Sequence, residues 1–131
     1  MALQYSLTHR TNEMNQLNTD IANSAILKTY TGTIPANVAA AITGNTVTTH
    51  NCNTLAFGDT LNGVLTARQI ANAVAANSGV ITHFRIIRFD GTAVVQGNVA
   101  TINADLNLDN NNVNSGQTVS LPSVTFTAFG F

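Results

Sequence analysis

Residues 81–99 read ITHFRIIRFDGTAVVQGNV, two β-branched and aromatic runs separated by Asp90-Gly91. Such runs favour extended backbone, and an Asp-Gly pair readily takes the two positive φ angles of a type I′ turn. The stretch therefore predicts a hairpin, with strands over 81–89 and 92–99. On the first strand Phe84 and Ile86 share one face, while His83, Arg85, Ile87 and Phe89 share the other. On the second, Val95 and Val99 lie together, opposite Gln96 and Asn98. One face is expected toward a core and the other is expected to be partly polar.

The same alternation continues downstream. Leu106 and Leu108 interleave with Asp105, Asn107 and Asp109, as on a half-buried strand. Val119–Leu121 and 124–128 read as strands kinked at Pro122, which cannot donate to a central ladder. Val124, Phe126 and Ala128 face one way there, and Thr125 and Thr127 the other. Upstream, 25–31 and 46–50 are strand-like, and Thr54 to Phe57 offers another short strand. Asn62-Gly63 is a strong turn signal before 64–67. Residues 38–42 are apolar without a clear type, and 68–76 is Ala-rich, suiting either a helical turn or an irregular loop.

The persuasive helical pattern lies at 7–22, where Leu7, Met14, Leu17 and Ile21 form one narrow stripe. Ser6 or Thr8 can cap it. Its Thr and Asn residues compete for backbone hydrogen bonds, so the helix needs a surface to lie on. Strands spaced near ten residues apart predict a mainly β fold, a single antiparallel β-sandwich or jelly-roll-like domain with one N-terminal helix. Residues 1–23 are the arm and helix, and 24–131 the sandwich.

Composition narrows the function. Charged residues make up 8% and hydrophobic residues 44% of 131 residues, with a formal net charge of −1. Asn and Thr supply roughly a quarter of the chain, where an average soluble protein carries charge. Weak self-repulsion and a surface of amides and hydroxyls favour a protein that lives assembled. The five cations, Arg10, Lys28, Arg68, Arg85 and Arg88, are scattered and make no basic stripe for nucleic acid. No apolar run is long enough to span a membrane. The start lacks a signal-peptide pattern, and the single Cys52 rules out an internal disulfide. The cytoplasm of a producing cell is the expected birthplace.

The succession "AILKTYTG" (25–32), "THFRIIRFDGTAVVQGNV" (82–99), "ADLNLDN" (104–110) and "NSGQTVSLPSVTFTA" (114–128) resembles a family of small tailed-bacteriophage structural proteins. In that family an HFR strand, a hairpin ending QG, an LNLDN strand and an SGQTVSV-SFT terminus recur in this order. The chain is richer in Asn than the family pattern, and 68–76 departs from it. The resemblance implies a virion component, first a capsid decoration or cement protein on the outer capsid surface, with a tail or baseplate role as its rival. Its partners would be the major capsid protein and itself, as a homotrimer by analogy with bridging clamps. No nucleic acid and no membrane enter this reading. A receptor- or glycan-binding module is a third possibility, weakened by the absence of Trp and the presence of only Tyr5 and Tyr30.

Chemistry-bearing residues are few. His50 and Cys52 would share a strand face, but zinc needs about four ligands and only His9 and His83 remain. A thiol beside a hydrogen-bonded imidazole is the better reading. Asp105, Asn107, Asp109 and Asn111 alternate like half a calcium loop, with Asn110 and Gly116 where Gly and Glu are required. No nucleophile elbow, carboxylate pair or phosphate-cradling loop is present, so neither an enzyme nor a cofactor is expected. Arg85 and Arg88, on opposite faces, read as a solvated strand edge, with pairing to Asp90 or to a partner's acid as the alternative. The expected interface residues are Ala2, Leu3, Gln4 and Tyr5, as a pairing arm, and Phe129 and Phe131, aromatic rings at a terminus that usually turns polar.

Overall fold

The hairpin centred on Asp90-Gly91 forms the middle of the largest sheet in the computed structural model, which describes residues 3–21, 24–52, 57–67, 70–121 and 124–128. Helix α1 (Leu7–Ile21) is followed by β1 (Ile26–Tyr30), β2 (Thr46–Asn51), β3 (Phe57–Leu61), β4 (Val64–Ala67), β5 (Ala73–Val74) and β6 (Gly79–Val80). Then come β7 (His83–Ile87), β8 (Ala93–Ala100), β9 (Leu106–Asn107), β10 (Asn112–Val113), β11 (Thr118–Val119) and β12 (Thr125–Thr127). The fold is mainly β, antiparallel-rich and sandwich-like, with one helix at the N-terminus. A five-stranded sheet runs β2-β1-β7-β8-β9, and a three-stranded sheet runs β12-β4-β3. Two short ribbons, β10-β6 and β11-β5, complete the described strands.

One apolar core holds these layers together. From the large sheet come Leu27, Phe84, Ile86 and Val99, from β4 Leu65, and from the C-terminal third Leu106, Leu108, Val113, Val119 and Val124. The alternations at 106–108 and 124–128 fall as their apolar spacing dictates: Leu106, Leu108, Val124 and Ala128 are buried while Asn107, Thr125 and Thr127 are exposed. Gly97 is required where β8 crosses Phe84. A Cβ there would sit 2.6 Å from the Phe84 ring and 2.9 Å from Asp105 Oδ2.

The helix finds its surface on the small sheet. The Ser6 hydroxyl caps it, accepting the His9 amide at 3.1 Å. Ile21 is fully buried, Met14 and Leu17 pack beside the core, and Leu7 remains 47% exposed. Between β3 and β4, Asn62 (φ 52°) and Gly63 (φ 75°) take the two left-handed conformations of a type I′ turn. The Gly63 amide then donates to Thr11 Oγ1 at 3.1 Å, fastening the turn to the helix.

Four expectations are corrected. The turn at 89–91 is not type I′: only Gly91 has positive φ there (89°). The Gly91 amide donates to Arg88 O at 3.0 Å, and Arg88 N donates to Thr92 O at 2.8 Å. That is a three-residue loop, a tight turn closed by a left-handed glycine, and Asp90 Oδ1 fixes it by accepting Thr92 N at 3.0 Å. Second, residues 70–76 form no helical turn but an irregular segment carrying two short pairings. Ile70 bridges to Cys52, and β5 pairs with β11, because Ala and Val here lie against the edge of β2, where Ala76 N donates to Val47 O at 2.7 Å. Residues 68–69 lie outside the described residues, as do 54–56 of the strand expected at 54–57.

Third, both faces of β7 are covered. His83, Phe84, Arg85 and Ile86 are all buried, and the cover over the supposedly polar face is residues 31–45. Thr31 N donates to Asn45 O and Asn45 N to Thr31 Oγ1, each at 3.0 Å, so the ends of this segment meet as in an Ω-loop. Gly44 lies so close to the Thr31 carbonyl that a Cβ has no room there. Fourth, Arg85 is therefore no solvated edge residue; it is 7% exposed. A further feature has no precursor in the sequence reading. β9 joins the sheet parallel to β8, Val99 opposite Leu106, after a loop of five residues. Asn98 and Asp105 lock it reciprocally: Asp105 N donates to Asn98 Oδ1 at 2.8 Å and Asn98 N to Asp105 Oδ2 at 3.0 Å.

Candidate functional site

The N-terminal arm leads into α1, α1 packs on β3 and β4, and β12 pairs with β4. Helix α1 and β12 are therefore both attached to the small sheet. Leu3 is 73% and Tyr5 39% exposed, and Gln4 is exposed as well. Tyr5 leans on His9, ring centroids 5.0 Å apart, and His9 Nε2 lies 3.1 Å from Glu13 Oε1. Of the expected interface residues, Leu3, Gln4 and Tyr5 are thus accessible. Ala2, Phe129 and Phe131 lie outside the described residues.

Beside this end runs a groove of about 450 Å³, lined by Met14, Leu17, Phe84, Val95 and Phe126, with Gly97, Asp105 and the strand Thr125–Thr127 along its rim. Sequence reasoning did not find it. Every apolar residue in it reads as core, and only the packing shows that α1 and β12 stop short of closing over the sheet. β12 is an end strand of its sheet. Ala128 N donates to Gly63 O at 3.0 Å, so by the alternation of an antiparallel ladder Phe126 faces β4, while the N–H and C=O of Thr125 and Thr127 point away from it.

Two buried polar clusters complete the inventory. On the core face of the large sheet, His50 Nδ1 donates to the Ala71 carbonyl at 2.9 Å. Its Nε2 must then accept, and it takes the Thr48 hydroxyl at 2.9 Å. Thr48 Oγ1 in turn accepts from Thr29 Oγ1, which itself accepts the Thr48 amide at 3.2 Å. Every proton in this chain has one place to go. The imidazole is held neutral, its pKa lowered chiefly by burial. Cys52, half-buried nearby, has its thiol pushed up to about 11 by burial.

The second cluster lies on the opposite face, under the Ω-loop. Arg85 donates from Nε to Gln96 Oε1 at 2.8 Å and from Nη2 to Ala40 O at 2.6 Å and Asn37 O at 3.3 Å. Gln96 Nε2 reaches Pro35 O at 2.9 Å. Beside them Tyr30 stacks on His83 at 5.2 Å. The Thr82 hydroxyl donates to Gly32 O at 2.7 Å, so His83 Nδ1 donates to Thr82 Oγ1 at 2.8 Å and Nε2 is left a buried acceptor with no partner. Burial first, and then the Arg85 charge, lower the pKa of His83. The Tyr30 phenol is pushed up by burial, partly opposed by Arg85. Arg88, by contrast, stands 4.0 Å from Asp90 Oδ1 and 5.6 Å from the Phe89 ring centroid.

The metal ligands weighed from sequence do not converge. Leu27 pairs across the sheet with both His50 and Ile86, which puts His50 on the core face and His83 on the other, while His9 stands on the helix. Asp105 and Asn107 spend side-chain oxygens on the Asn98 and Ala104 amides, each at 3.0 Å. Among the described residues no three His, Cys, Asp or Glu side chains are grouped to hold a metal ion. No described helix is long and apolar enough to cross a membrane. The described side chains thus gather into two buried hydrogen-bonded clusters and an apolar groove. Comparisons with protein-family models, with curated proteins and with solved structures find no match to this chain.

Proposed function

We propose that this chain is a tailed-phage virion protein that decorates the capsid, docking on the major capsid protein lattice and stabilising the head. The observation that carries the reading is the collinear set of strand and turn motifs from 25–32 to 114–128, joined to a surface in which amides and hydroxyls replace charge. Such a surface buries against neighbours at lower desolvation cost than one of Lys and Glu, provided its amides and hydroxyls are hydrogen-bonded across the contact. Exposed apolar side chains supply anchors: Val74 (61%) on β5, Phe89 (68%) between β7 and β8, and Ile102 (71%) between β8 and β9. Each contact is weak alone, and affinity comes from engaging several coat subunits at once. With so few charges, binding depends mildly on salt.

Copy number tests this reading. Quantitative staining of purified virions should show hundreds of copies per particle, and labelled particles should carry the protein over the head. Tens of copies confined to the tail would refute decoration and favour a tail or baseplate component. Absence from virions would refute both.

A further inference from the structure

The groove beside β12 combines two features that point to the same kind of occupant. Its floor is apolar, and its rim is an open strand edge: the N–H and C=O of Thr125 and Thr127 face away from β4, and no described residue takes them. A strand edge with an apolar trough alongside is the geometry that accepts an extended segment, main-chain bonds giving affinity and alternate side chains filling the trough. Such a segment must alternate apolar with polar residues and must be free of its own fold. The arm of this chain does both. Leu3 and Tyr5 alternate with Gln4 and Ser6, lie outside regular structure, and are exposed. In its own molecule the arm is lightly held: Leu3 is 73% exposed, and Tyr5 leans on His9, ring centroids 5.0 Å apart, a contact that seating in the groove replaces. Helix α1 does not carry it toward the groove. The arm enters at Leu7, whereas Met14 and Leu17 lie roughly 10 and 15 Å further along the helix.

We propose that the N-terminal arm of one copy adds as a strand to the free edge of β12 in a second copy, seating Leu3 and Tyr5 in the groove lined by Met14, Leu17, Val95 and Phe126. About four residues of extended arm span roughly 13 Å, which matches the three-residue edge of β12 with one residue over. The occupant carries no charge of its own at residues 3–6, so the single carboxylate on the rim, Asp105, neither steers nor opposes it. This inference rests on the assembled, multi-copy reading above and gives that assembly its contact.

Two measurements on the full chain test it. In a Cys52→Ala background, Gln4→Cys with Thr127→Cys, which the added strand would place together on the face away from the groove, is treated with a short bismaleimide. Crosslinks between chains are the expected result. A crosslink within one chain, or no crosslink, overturns the proposal. Separately, Thr127→Pro removes an N–H that points away from β4 and so leaves the β12–β4 ladder intact. Sedimentation should shift from oligomer to monomer, with an unchanged circular dichroism spectrum as the control for folding. Unchanged sedimentation refutes the strand addition. A chain that stays monomeric and uncrosslinked yet still covers capsids overturns this inference and leaves decoration standing; arm exchange without capsid binding does the reverse.

Discussion

Replacing Arg85 by Met should release residues 31–45 from the sheet while leaving the rest of the fold in place. Arg85 is 7% exposed, and its guanidinium donates to three neutral oxygens, Gln96 Oε1, Asn37 O and Ala40 O. Hydrogen bonds from a charged donor each contribute about 1.5 kcal/mol or more; Ala40 O and Gln96 Oε1 would lose their donor, while Asn37 O keeps the Ala40 amide at 3.2 Å. Against this, Met relieves the desolvation of a buried cation and keeps most of the apolar stem, so the net loss is about 3 kcal/mol. For a chain of this length that corresponds to a fall in Tm of about 10 °C. Arg85→Lys keeps the charge but cannot reach Gln96 and both carbonyls from one ammonium, and should fall between the two. Thermal unfolding gives the stability, and amide hydrogen exchange gives its location, with protection lost at 36–42 and kept in β1, β7 and β8. Should Arg85→Met melt within about 2 °C of the parent and leave exchange at 36–42 unchanged, the loop is held by something other than this cation.

Acid should destabilise the protein before its carboxylates titrate. His50 and His83 both have pKa values lowered in the fold, so below the ordinary value near 6.5 the unfolded chain binds protons that the folded chain refuses. Urea midpoints should be flat above pH 7 and decline as pH falls from about 6.5 toward the depressed folded values, and His50→Gln should flatten part of that slope; a midpoint that rises on acidification refutes the neutral assignments. Gly97→Ala places a methyl within 2.6 Å of the Phe84 ring and should cost about 1–3 kcal/mol by denaturant unfolding, with a neutral result contradicting the close crossing of β8 over Phe84. Cys52, its thiol pushed up to about 11 by burial, should react with a maleimide at pH 7 much more slowly in the native protein than in urea, and equal rates would show the site to be open. Ser6→Ala removes the cap on α1 and should cost about 1 kcal/mol, read by the same unfolding titration.

Much of the architecture was legible because apolar spacing and turn chemistry report directly on burial. The stripe Leu7, Met14, Leu17 and Ile21 marks α1, Asn62-Gly63 marks the β3–β4 turn, and the alternations at Leu106–Leu108 and Val124–Ala128 assign their inner faces. What stayed hidden shares a physical cause. Residues 31–45 cover the sheet with main-chain carbonyls, which leave no trace in side-chain pattern, so Arg85 and Gln96 read as exposed polar residues. The Asp90-Gly91 pair suits two turn types, and the Asx contact of Asp90 with Thr92 selects between them. Two-residue strands such as β5 and β6 are shorter than any periodicity can register. The groove escaped notice for a related reason: burial pattern separates inside from outside but does not reveal where a core is left open. The arm residues Leu3 to Tyr5 were singled out by sequence position and character, whereas the outer edge of β12 carries no such mark.

The latch at Arg85 also bears on how this molecule can diverge. A guanidinium that grips carbonyl oxygens takes no notice of the side chains attached to them. Ile34, Ala36, Val38 and Ala39 are therefore free to drift, or to be exchanged wholesale, while the loop keeps its outline. Mutational scanning of 33–43 should find broad tolerance flanked by intolerance at Gly44 and Arg85, a variable crest on an invariant mount.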